Sequence, residues 1–131
     1  MPQRENLSST YRYTAEGAVT QFAVLVEGTA DKQAKLPGGA DAAGFIGVAM
    51  HAAADGEEVT VAEPGSFVRC IAGAAISRGA ALSIAGATGK VKTAAPSSGA
   101  NTFIIGHAKS TVTTDGDTVF VHLNPSVMQG A

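Results

Sequence analysis

The chain has 131 residues, a net charge of −2 and only 15 % charged residues. That length suits one domain with a core large enough to hold itself together, and the charge offers no basic field for nucleic acid or an anionic membrane. A single cysteine, Cys70, excludes an intrachain disulfide and a thiolate metal cluster, and suits synthesis in a reducing host cytoplasm.

Residues 1–17, "MPQRENLSSTYRYTAEG", are polar and hold both tyrosines of the chain. They contain no apolar run of the kind a signal peptide needs, and we read them as an extended N-terminal arm. Residues 18–125 read as one β domain. Strands are expected at 19–27, 32–36, 44–50, 57–63, 67–73, 75–84, 89–95, 102–110 and 117–123, separated by Gly, Pro, Asn and Asp clusters. Val, Ile and Thr together number 30 against five Leu, which favours pleated surfaces over helices. Residues 126–131 read as a short tail. No run of about 20 apolar residues is present to cross a membrane as a helix. The expected fold is mainly β: a small single-domain β-barrel or β-sandwich with an extended N-terminal arm.

One phrase occurs twice. "IGVAMHAAADGEEVTV" (46–61) can be laid on "IGHAKSTVTTDGDTVFV" (105–121) with one extra residue in the second loop. Each copy reads Ile-Gly-x-Ala, a loop, Asp-Gly, then a strand. Asp-Gly supplies the positive φ of a tight hairpin turn. The acids beside it differ between copies, and neither copy spaces its oxygen ligands as a calcium loop does. The repeat therefore points to construction of the fold.

The remaining chemistry is sparse. His51, His107 and His122 have no H-x-H or H-x₃-H spacing and read as solvated or interface side chains. In "TVFVHL", Val119, Val121 and Leu123 share one face of the pleat, and Phe120 and His122 share the other. Cys70 lies mid-strand and reads as a small buried hydrophobe. No G-x-S-x-G, P-loop or nucleophile–base signature occurs, so no enzyme, cofactor or metal site is expected. In an extended arm Tyr11 and Tyr13 point to one side and Arg12 to the other. Tyr and Arg dominate interface hot spots, and Arg4, Tyr11, Arg12 and Tyr13 are the candidate capsid-interface residues. The alternative is that the arm packs on its own domain as an edge strand.

The order of motifs resembles the small cement, or head decoration, proteins of tailed bacteriophage capsids. The resemblance spans roughly Ala18 to Pro125 and rests on "GFIGVAMHAAADGEEVTVAEPG", "GAAISRGAALSIAGATGKVKTAA" and "FIIGHAKSTVTTDGDTVFVHLNP". It implies a virion structural protein on the outer capsid surface that binds the major capsid protein of the mature shell and stabilises it. It further implies a homotrimer self-associating at the capsid symmetry axes, with no catalytic residues, no direct contact with nucleic acid and no membrane. The alternative function is a phage tail or surface adhesin module binding glycans, which loops nearly devoid of aromatics do not favour.

Overall fold

The computed structural model describes residues 9–96 and 98–130. Among them there is no helix, and ten strands run in chain order. They are β1 (Thr10–Ala15), β2 (Val24–Glu27), β3 (Gln33–Lys35), β4 (Phe45–Ala49), β5 (Glu58–Ala62), β6 (Phe67–Ile71), β7 (Ala81–Ile84), β8 (Val91–Thr93), β9 (Asn101–Ala108) and β10 (Thr118–Gln129). The first five close into a barrel in the order β1-β3-β2-β4-β5, and the second five form a sheet in the order β6-β10-β9-β7-β8.

These two orders are the same order. β1 pairs antiparallel with β5, as β6 does with β10, and the registers coincide: Tyr11 faces Val61 as Val68 faces Val121. Ala49 faces Val61 as Ala108 faces Val121. β1 meets β3 in parallel at Ala15↔Ala34, and the parallel bridge Ala72↔Val91 joins the ends of the second sheet at the corresponding place. Loops correspond too, for Val19 and Ala53 exchange backbone hydrogen bonds as Ile76 and Val112 do. Even side-chain caps correspond. The Thr60 amide donates to His51 Nε2 at 3.1 Å, and the Phe120 amide donates to Ser110 Oγ at 3.0 Å. The chain is thus one five-stranded unit written twice, residues 9–63 and 66–123. The phrase repeated in the sequence is the central hairpin of each.

That hairpin explains its two glycines. A Cβ at Gly47 would meet the Ala62 carbonyl oxygen, and a Cβ at Gly106 would meet that of His122. The strands approach too closely there for any side chain. The Asp-Gly pairs make the turns expected of them, with Gly56 and Gly116 both at positive φ and donating to the Ala15 and Ala72 carbonyls.

The two units interlock through their cores. One cluster fills the first barrel with Ala15, Val19, Leu25, Ala34, Val59 and Val61 among others. The other fills the second unit with residues such as Val68, Cys70, Leu82, Ile84, Val121 and Leu123. It also takes in Val24, Val26, Val48 and Ala62 from the outer face of the first barrel. The interior of the second unit therefore ends against the outside of the first. The turn between β7 and β8 presses on β2, with Gly89 accepting from the Val24 amide at 2.9 Å. Val119, Val121 and Leu123, which share one face of the pleat, are buried; Phe120 on the other face is buried as well, and Cys70 is buried as expected.

The structure departs from the expected boundaries in four places. The strand expected at 19–27 begins only at Val24, because Phe22 takes a φ of 66° and turns the chain; Gly79 does the same before β7 with a φ of 91°. Thr10–Ala15, placed in the arm by sequence, form β1 and close the barrel between β5 and β3. Without β1 the barrel would expose the paired edges of both neighbours. Ser126–Gln129, placed in the tail, extend β10 because Asn101–Ile104 of β9 supply their partners.

Candidate docking site

Tyr11, Tyr13 and Ala15 lie on the inward side of β1. Ala15 is fully inside the barrel, Tyr13 half-buried at its open end, and Tyr11 39 % exposed at the rim. The rings of Tyr11 and Tyr13 meet edge to face, 5.1 Å apart. Burial raises the Tyr13 phenol above its ordinary value, and the charges of Glu63, Tyr11 and Glu27 raise it further. Glu63 also accepts a hydrogen bond from Ser9 Oγ at 2.7 Å.

Beside the tyrosines lies an open cavity of about 290 Å³, lined by Tyr13, Glu27, Asp31 and Lys32 among others. Its wall is the turn from β2 to β3, held by Glu16, whose carboxylate accepts from the Thr29 amide at 2.6 Å and the Thr29 hydroxyl at 3.1 Å. The amide bond is the main cause of a Glu16 pKa below its ordinary value. The barrel mouth is thus a pre-organised rim of two aromatic rings, acids and a pinned turn. It can take up a side chain or strand end carrying donors.

The predicted interface residues separate. Tyr11 and Tyr13 come together at the mouth. Arg12 points outward from β1 and is exposed, and its counterpart Arg69 lies over the Phe120 ring at 5.8 Å. Arg4 lies outside the described residues. Sequence reasoning missed Glu27 and Glu63, which complete the mouth. The signal was present in "YRYTA" (11–15) over "VRCIA" (68–72): this alignment places the mouth tyrosines over Val68 and Cys70.

His107 and His122 face each other across β9 and β10, and His122 stacks on Phe67 at 4.3 Å. Among the described residues no group of three or more His, Cys, Asp or Glu could hold a metal ion. The extension of β9 and β10, which has no counterpart in the first unit, carries Phe103, 51 % exposed, opposite Val127, 56 % exposed.

The model of a family described as phage cement protein matches residues 3–123. No curated protein matches the chain. Among solved structures, the crystal structure of the head fiber gp8.5 N base in bacteriophage phi29 superposes with a TM-score of 0.66. The match covers 88 % of this chain and 93 % of that one at 18 % identity. That likeness shows a shared fold. The family match spans both five-stranded units down to Leu123, the last paired residue before the β10 bulge. The chain belongs to the phage cement protein family and is a capsid-associated structural protein of a phage.

Proposed function

We propose that the protein binds the outer surface of the mature, expanded head shell, where it contacts the major capsid protein and reinforces the shell against internal pressure. It works as a homotrimer at the symmetry axes of the shell, with Arg4, Tyr11, Arg12 and Tyr13 among its interface residues. Family membership supports the location. The observation that carries the interface assignment is the mouth itself. An aromatic and acidic rim stands open in the first unit, while the same positions of the second unit are sealed by protein. Two interlocked cores give the rigidity that a cement needs, since ordering costs little when the binding surface is already formed.

Purified protein should bind expanded shells and raise their resistance to heat or to chelator. Saturating protein without detectable shell binding refutes the reading. Removing residues 1–8 should leave the barrel folded. Removing 1–16 deletes β1 and should unfold it, so only the shorter truncation probes binding.

A further inference from the structure

The joint between the two units is a template for a joint between two copies. Inside the chain, the mouth of the second unit is made by Val68, Cys70, Ile84 and Leu123, each at most 1 % exposed. They belong to the cluster that includes Val24, Val26, Val48 and Ala62 on the outer face of the first unit. By register, the first unit's own mouth residues at those positions are Tyr11, Tyr13, Glu27 and Glu63. By the same register, the second unit's outer face replaces Val24, Val26, Val48 and Ala62 with Ala81, Ser83, His107 and His122; Ser83 is buried, and the other three are half-buried. Each chain therefore ends in one open mouth and one outer face whose Ala81, His107 and His122 are only partly covered, of the kinds that meet in its middle.

The two ends are chemically matched. The mouth offers phenols and carboxylates; the face offers imidazoles and the Phe67 ring stacked beside one of them. Charge points the same way. Residues 1–65 hold four Lys or Arg and nine Asp or Glu, a net of −5, and residues 66–131 hold five and two, a net of +3. Two units of one architecture carry opposite charge, so first-to-second contact attracts while first-to-first and second-to-second contacts repel. Where the middle joint uses apolar side chains, the ends use polar ones, which lets a copy remain soluble before it assembles.

We infer that a second copy of this chain docks head to tail, its His107/His122 face on the Tyr11/Tyr13/Glu27/Glu63 mouth of the first, repeating between copies the joint found within one. Such a contact is heterologous, and it closes into a ring where the rotation allows. It moves Tyr11 and Tyr13 from the capsid contact to the contact between copies, and leaves Arg12, on the other side of β1, to face the shell. The inference rests on the proposal that copies self-associate.

Two variants test it, Glu27→Lys with Glu63→Lys at the mouth, and His107→Glu with His122→Glu at the face. Sedimentation of the wild-type chain should show self-association that weakens as salt rises. Each variant alone should associate at least about tenfold more weakly, and an equimolar mixture should regain mixed pairs, because the reversed mouth now meets the reversed face. Glu27→Lys alone, at an exposed site, should show a smaller loss if the double variant is unfolded by circular dichroism. Wild-type protein that stays monomeric at millimolar concentration overturns the inference, as does salt-independent association or a mixture no better than its parts. Shell binding by the same samples is read separately. A mouth variant that self-associates normally but no longer binds shells assigns the mouth to the capsid protein and also overturns the inference. Loss of shell binding by the wild type would instead strike the cement reading.

Discussion

The two five-stranded units share strand order, register and even their loop hydrogen bonds, yet they differ wherever one touches the other. Glu27 and Glu63 are exposed or half-exposed in the first unit; their counterparts Ile84 and Leu123 are buried in the second. Lys32 takes a φ of 61° in the turn from β2 to β3, where it is exposed and lines the cavity. In the turn from β7 to β8, Gly89 takes a φ of 81° and presses within 2.8 Å of Ala23 if given a Cβ. The lesson is that the backbone of the unit tolerates either chemistry. Contact with the neighbouring unit, not the fold of its own, selects the residue.

The sharpest way to break this comparison is to exchange the mouth residues. Ile84→Glu should cost about 4 kcal/mol or more, since it places a carboxylate in a joint with no partner for it. Glu27→Ile should change stability by no more than about 0.5 kcal/mol in the isolated chain. Urea unfolding checks both, and equal effects would mean that the second mouth is not sealed as described.

A second measurement sharpens the equivalence rather than the difference. Gly47→Ala and Gly106→Ala both push a methyl group into a backbone carbonyl and should each cost about 3 kcal/mol. A variant that melts like the wild type would show that its hairpin does not share the close approach.

The turn residues predict a smaller asymmetry. Gly89→Lys should cost roughly 2 kcal/mol, through positive φ and through pressure on Ala23 and Val24. Lys32→Gly should leave the melting midpoint nearly unchanged, within about 0.5 kcal/mol, because only a strained φ is relieved while chain entropy is added. A larger loss at Lys32 would give that side chain a role at the mouth.

The smallest effect is one of pH. Glu16 has a lowered pKa in the folded chain, so its contribution is present above the ordinary value of 4.5 and is lost as pH falls through the folded value. Gly73 stands at the equivalent place, so acid should loosen the β2–β3 turn and leave the β7–β8 turn alone. The chemical shift of the Thr29 amide reads this directly. It should titrate with a midpoint below that of a free glutamate, and an ordinary midpoint would remove the latch.

Much of this molecule was legible before any coordinates. Alternation in "DTVFVHL" places Val119, Val121 and Leu123 on one face, and the core holds that face. Asp-Gly in both copies marks the two turns, because positive φ and a short side chain are local requirements that local residues must meet. The small and β-branched residues in conserved order within the chain carry the family resemblance for the same reason: they build the unit. The sequence did not reveal that Thr10–Ala15 belong to the barrel, since "TYRYTA" shows an aromatic pair but not the edges that β5 and β3 leave open for it. Nor did it reveal the mouth. Tyr11, Tyr13, Glu27 and Glu63 lie far apart along the chain and share no local pattern. Their meaning comes from standing where Val68, Cys70, Ile84 and Leu123 stand in the other unit. Turns and strand faces are set by neighbours in sequence, so the sequence alone determines them. Which mouth is sealed and which is open depends on one unit packing against another, and only the tertiary structure decides that.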